Sequence, residues 1–306
     1  MKRTLTAALA LTALLATACH AQPMDGPGMV NDPRGRGLSP AAYLSRLTVY
    51  TPEDSARVER LLATEPQGND VLFYARQFLG QPYVTHTLEV ADPERVVVNL
   101  RGLDCTTLVE TACALALTRR KGLRTFHDYC TVLELIRYRG QRCEGYLSRL
   151  HYFAWWMRDN IRAGIVSEVT DKKHWTAPMT VRNHYMTRHP DQYRMLTLHP
   201  EWVPEITRME QEGNGPDGHY LPQQALAAGQ RELGAIRDGD IIAIVTTKDG
   251  LDYSHLGIAF WDKTDGRLHM LHASSVYKRV VADRTPLHKY LAERRTSVGI
   301  RVLRLR

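Results

Sequence analysis

Cysteine is scarce, with five residues in a chain of 306. That is too few for the disulfide framework on which small secreted scaffolds rely. No H-E-x-x-H or comparable close ligand cluster occurs, so a zinc hydrolase of that kind lacks its ligands and would leave Cys105 without a task. Long apolar runs are missing too. The stretch "LTAALALTALLAT" (Leu5 to Thr17) is well short of the roughly 20 residues that span a bilayer. There is no internal repeat and no basic stripe. The net charge of +7 is spread along the chain, which suits an anionic substrate or surface and argues against nucleic acid as a partner. What is present is ordinary for a globular protein: 43% hydrophobic and 24% charged residues, enough to bury one large core.

Met1-Lys2-Arg3 followed by that short apolar run and small residues reads as a secretory signal peptide, residues 1–18,. Export to the periplasm or envelope is therefore expected. "ATAC" makes Cys19 a candidate lipidation site, through which alone the protein would meet a membrane; Ala16 stands where such boxes usually carry leucine. Ordinary cleavage after Ala18 or Ala21 is the equal alternative. Residues 19–40, rich in Gly and Pro, read as a flexible linker, and 41–306 as a single catalytic domain, expected to be monomeric.

From Ala41 the pattern is helical. "NDVLFYARQFLG" (Asn69 to Gly80) has Asn69 as N-cap and Gly80 as stop,. A long middle section, about Thr118 to Gln230, mixes helices and loops. From Asp238 five short apolar runs, "DIIAIVTT", "HLGIAFW", "RLHMLHA", "YKRVVAD" and "VGIRVLRLR", read as strands,. Helices first and an antiparallel meander afterwards predict an α+β fold.

The chemistry centres on "NLRGLDCTTLVETACALAL" (Asn99 to Leu117). Apolar spacing at Leu108, Val109, Ala112, Leu115 and Ala116 predicts a helix over 105–117 with Asp104 as N-cap. Cys105 then sits in the first turn, where free backbone N–H groups and the helix dipole favour a thiolate and could bind an oxyanion. Cys113, deeper in the same helix, reads as a packing thiol. Cys130 and Cys143 are the pair that could form a bridge, with separate buried thiols the equal alternative. A thiolate nucleophile needs a base and an orienting group. His255 opens the strand "SHLGIAF", and His272 lies in "MLHASS" on the next. A four-residue loop Asp262 to Asp265, closed by Trp261 and Gly266, would place His255 directly opposite His272, on one face.

"GLDCTT", "SHLGIAF" and "LHASS" resemble the Cys, His and third polar residue of the NlpC-type papain-fold peptidoglycan hydrolases. The resemblance is closer to one branch, the N-acetylmuramoyl-L-alanine amidase-like family first catalogued as a domain of unknown function. It is carried in order by "FLGQPYV", "VVNLRGLDCTTLVE", "RYRG", "SRLHYF", "MTRHP", "GDIIAIVT", "SHLGIA", "LHASS" and "GIRVLRL". It implies a papain-like fold, Cys105 as nucleophile, His255 as base, His272 as orienting residue and Tyr83 near the oxyanion site. It further implies hydrolysis of the amide between N-acetylmuramic acid, or its anhydro form, and L-alanine in peptidoglycan or muropeptide fragments, with no cofactor and no metal. His86 and His184 depart from the pattern, which has glycine and asparagine there.

Arg149 and His151 in "SRLHYF", and Thr187 and His189 in "MTRHP", are candidate contacts to peptide carboxylates or sugar. An amphipathic core helix whose arginine forms a structural ion pair is the bland alternative. Ser254, Ser274 and Ser275 flank the two histidines as candidate polar donors. A stem-peptide endopeptidase would use the same three catalytic residues. A non-catalytic envelope-binding lipoprotein would lack the nucleophile or the base, and both are present.

Overall fold

A computed structural model describes residues 47–306, together with two paired dipeptides, β1 (Val30–Asn31) and β2 (Gly37–Leu38). The expected signal peptide, Cys19 and most of the expected linker lie outside the described residues. Chain contacts divide the protein into a unit ending at Tyr43 and a unit from Leu44 to Arg306; the site lies in the second. Among the described residues no helix is long and apolar enough to cross a membrane.

The second unit is α+β. Short strand β3 (Thr48–Val49) leads into helix α1 (Pro52–Ala63), which starts where Thr51 and Asp54 cap each other and Pro52 presets the first turn,. Helix α2 (Asp70–Arg76) begins at the expected cap, the Asn69 side chain accepting from the Leu72 N–H at 3.0 Å. It is shorter than expected: the chain leaves the helix at Gln77 and turns at Gly80, whose φ is +84°,. Strand β4 (Val96–Val97) pairs parallel with β3.

Helix α3 (Cys105–Arg120) is the central element. Every residue from Thr107 to Thr118 is buried, so it is covered on all sides. Its one buried carboxylate, Glu110, meets Arg137 at 2.7 Å on the neighbouring helix α4 (Phe126–Arg137). All four cysteines of this unit, Cys105, Cys113, Cys130 and Cys143, are free thiols, so the Cys130–Cys143 bridge does not form. Cys130 packs in the core with α4, and Cys143 instead points at the Glu94 carbonyl.

The middle section is richer in strands than its sequence suggested. Helix α5 (Phe153–Arg162) is followed by β5 (Val166–Val169) and β6 (Ala177–Val181). Three helices come next, α6 (Tyr185–Arg188), α7 (Arg194–Leu198) and α8 (Val203–Gly213), then β7 (Gly215–Pro222). The five expected strands follow: β8 (Ile241–Thr246), β9 (Tyr253–Trp261), β10 (Leu268–Ser274), β11 (Arg279–Ala282) and, after helix α9 (Leu287–Ala292), β12 (Ser297–Leu305).

They form part of one eight-stranded sheet of order β11-β10-β9-β8-β12-β7-β6, with β5 also on β12. The meander therefore covers β8 to β11, and β12 returns to the far side of β8. Both faces are buried, and alternation sorts the side chains. Ile241, Ala243, Val245, Leu256 and Ile258 join the larger core that contains α3. Ile242, Ile244, Ala259, Leu268 and Met270 join a second core beneath α9,.

Gly257 is required where β9 meets β10: a Cβ there would stand 2.2 Å from Met270 Cγ and 2.9 Å from the Leu271 carbonyl oxygen. Gly257→Ala should therefore destabilise the fold by about 1–3 kcal/mol, the usual cost of overpacking. This would be read as a lower urea midpoint at unchanged slope. An unchanged midpoint would show that the strands have room there.

Candidate active site

Helix α3 starts at the nucleophile candidate. Asp104 Oδ1 accepts from the Thr107 N–H at 2.8 Å, and the Thr107 hydroxyl accepts from the Asp104 N–H at 2.9 Å, a reciprocal cap,. Cys105 is thereby fixed as the first helical residue, partly buried. Its thiol adjoins the backbone of Leu256, the residue after His255 on β9.

The helix terminus does not make it a thiolate. Burial pushes the Cys105 thiol up to about 12, with the Asp104 carboxylate acting the same way. A helix end contributes about 0.3–1 kcal/mol, less than one pH unit at about 1.36 kcal/mol per unit, so burial wins. Tyr83 is half-buried nearby, its N–H donating to the Lys278 carbonyl at 2.9 Å. Burial, then the Cys105 and Asp104 charges, push its phenol up to about 12.

Strands β9 and β10 bring the two histidines together, in a different register from the one expected. The ladder pairs Leu268 with Trp261 and Leu271 with Ile258. Continued by one residue it sets His272 opposite Gly257, so His255 and His272 are diagonal neighbours. The loop does have four residues, but they are Lys263 to Gly266, closed by the Asp262 N–H on the Arg267 carbonyl at 3.0 Å. Gly266, at φ +67°, occupies the left-handed loop position instead of pairing, and Asp262 caps the turn through the Thr264 N–H at 2.7 Å,. Moving the loop one residue shifts the register by two, which keeps both rings on one face.

His255 Nε2 lies 2.6 Å from His272 Nδ1, the rings perpendicular. His272 is fully buried, and its Nε2 lies 3.2 Å from Asp283 Oδ2. Tyr290 of α9 packs on both rings, at 6.5 Å from His255 and 5.5 Å from His272, and the Arg294 guanidinium lies 3.5 Å above it. Burial, assisted by His272 and Arg294, pushes His255 down to about 3. Both shifts favour the neutral form, the thiol at Cys105 and the imidazole at His255.

Asp283, Tyr290 and Arg294 were missed in the sequence. Asp283 had a signal, because His272 pairs with Val281 and Asp283 follows two residues on, diagonal to it on the same face.

The remaining candidates have other partners. Arg149 is buried between Glu89 and Glu94, its guanidinium 4.9 Å over the Tyr146 ring. It is held in a structural ion pair with these two carboxylates. His151 Nε2 lies 2.9 Å from the Tyr146 carbonyl, and burial holds the ring neutral. Both nevertheless line a cavity of about 230 Å³ that reaches Asp104 and Thr106, on either side of Cys105. The Thr187 hydroxyl is engaged by Glu210 and by Thr207, and His189 packs on Tyr185 at 4.5 Å. Ser254 and Ser275 are exposed; the Ser274 hydroxyl caps a turn through the Tyr277 N–H.

The two departures have local reasons to be noticed. His86 adopts φ +59°, where glycine fits without strain,. His184 sits against Gly250, its Nε2 3.2 Å from Asp249.

The linkage of His255 gives a signed expectation. Its folded value, about 3, lies below the ordinary 6.5, so the unfolded chain binds a proton that the folded chain refuses. That contribution to stability is whole above pH 6.5 and declines as pH falls towards about 3. His255→Gln should flatten the fall in Tm between those limits. Equal slopes for variant and parent would contradict the burial argument.

Comparison with known proteins follows the geometry. The family described as N-acetylmuramoyl-L-alanine amidase-like matches residues 74–300. A solved N-acetylmuramoyl-L-alanine amidase from Bacteroides uniformis is 40% identical, with TM-score 0.72 over 78% of this chain and 100% of that one. A Bacteroides fragilis protein provisionally named a xylanase is 39% identical, with TM-score 0.71 over 76% of this chain and 100% of that one. A Legionella pneumophila protein, 22% identical at TM-score 0.64 over 83% of this chain and 94% of that one, shares the fold. No curated protein matches the chain.

Proposed function

The chain belongs to the N-acetylmuramoyl-L-alanine amidase-like family, and from that premise we propose a cysteine-dependent hydrolase of the bacterial cell wall. It cleaves the amide between N-acetylmuramic acid and L-alanine in muropeptides, working in the periplasm or envelope after export. The observation that carries the cysteine mechanism is the joining of three features: Cys105 at a helix start, its thiol against the residue after His255, and His255 bonded to His272 at 2.6 Å. The papain-like reading of the fold rests on the same trio.

Shifts towards the neutral forms of Cys105 and His255 support one order of events. The thiol proton passes to His255 as Sγ attacks the carbonyl carbon, so His255 acts as general base during attack and no stored thiolate is needed. Negative charge develops on the carbonyl oxygen. The Thr107 N–H is already taken by Asp104, which leaves the N–H groups of Cys105 and Thr106, with the Tyr83 hydroxyl, as donors to that oxyanion. Collapse breaks the C–N bond, and the departing alanine amine takes the proton from His255. Water, deprotonated by His255, then opens the thioester and releases the lactyl carboxylate.

Mass spectrometry of purified muropeptides after incubation decides between the two amide bonds. A stem peptide beginning with L-Ala together with a peptide-free sugar is expected. Sugar still carrying L-Ala-D-Glu would replace this reading with a stem-peptide endopeptidase. Cys105→Ala and Cys105→Ser should each abolish turnover while keeping the parent Tm within a few degrees. Activity retained in either would overturn the cysteine mechanism.

A further inference from the structure

The proposed mechanism needs one particular nitrogen of His255 to be free of hydrogen, and the bonds behind it determine which. Asp283 is buried, and its two oxygens have separate tasks. Oδ1 accepts from the Thr285 N–H at 2.9 Å, and Oδ2 faces His272 Nε2 at 3.2 Å. An ionised carboxylate only accepts, so Nε2 of His272 must carry hydrogen. With a single N–H on each ring, Nδ1 of His272 is an acceptor, and the group 2.6 Å away from it, Nε2 of His255, is the donor. His255 then has its only hydrogen on Nε2, and its Nδ1 is a bare lone pair.

Resting on the Cys105 reading, we propose that Asp283 is a positioning residue that fixes the tautomers of both histidines and so selects Nδ1 of His255 as the atom that receives the thiol proton. The bookkeeping closes on one proton. It leaves Sγ and binds Nδ1, and the imidazolium so formed donates through Nε2 to His272, which stays anchored on the carboxylate. Nothing else is consumed.

The near-isosteric Asp283→Asn is the informative change. Its carboxamide oxygen is drawn to the Thr285 N–H, which turns the amide NH₂ towards His272. A donor there calls for a bare Nε2 on His272, places hydrogen on its Nδ1, and by the same logic places hydrogen on Nδ1 of His255. The base would then be blocked at the atom that matters.

The test combines long-range ¹H–¹⁵N spectra of the substrate-free full chain with turnover of purified muropeptides. In the parent protein both rings should be of the Nε2–H form. In Asp283→Asn both should convert to Nδ1–H, and kcat should fall by at least about 100-fold, as removal of a triad carboxylate does elsewhere, with KM within about threefold. A parent His255 protonated at Nδ1 would overturn the proposal. So would an Asn variant with unchanged tautomers, or one with converted tautomers and undiminished kcat. If the variant does not fold, the parent spectrum alone decides. A parent enzyme inert towards muropeptides would count against the proposed function and leave the tautomer result standing.

Discussion

The hydrogen bond between His255 and His272 depends on a single register of β9 on β10. A slip of one residue would turn one ring into the opposite core, because strand faces alternate with period two. Gly257 keeps that register close-packed, because the Met270 side chain and the Leu271 carbonyl fill the space where its Cβ would stand. Tyr290 covers the pair, Asp283 terminates it, and α3 delivers Cys105 to the residue beside it. The sheet can be regarded as the device that holds these rings in one relation.

Charge inside the protein is matched nearly everywhere it is buried. Glu110 meets Arg137, Arg149 lies between Glu89 and Glu94, and Arg301 is held by Glu168 and Asp217. Removing one partner of such a pair would leave an uncompensated charge, typically a loss of about 3–5 kcal/mol. The same desolvation governs the reactive pair with a different result. At Cys105 and His255 it favours the uncharged forms. The guanidiniums that line the cavity, Arg137 and Arg149, are both ion-paired with buried carboxylates.

Much of this was legible in the sequence, for identifiable reasons. Caps announce themselves: Asp104 before an apolar period, Asn69 before another. The five strands from Asp238 alternate clearly enough to be read. Register was harder, because a four-residue loop can be placed one position either way and only backbone geometry at Gly266 decides. The parity of the two histidines survived that uncertainty, since a loop moved by one changes pairing by two. Strands β5 and β7 were invisible amid loops because their partner, β12, is remote in sequence, and β6 joins the sheet only through β7. At Cys105 the helix end is a local property that the sequence displays, whereas the burial that opposes it is set by the whole fold.

Strand β12 carries a consequence for the order in which the protein can be finished. It lies between β8 on one side and β7 and β5 on the other, yet it follows Cys105, His255, His272 and Asp283 in the chain. Until Ser297–Leu305 is available, three strands lack a neighbour and the sheet has a gap along its middle,. Every reactive group is thus synthesised before the piece that joins the two halves of its support. Assembly is conditional on a late, long-range closure, so a growing polypeptide holds the chemistry in its sequence well before it holds it in space.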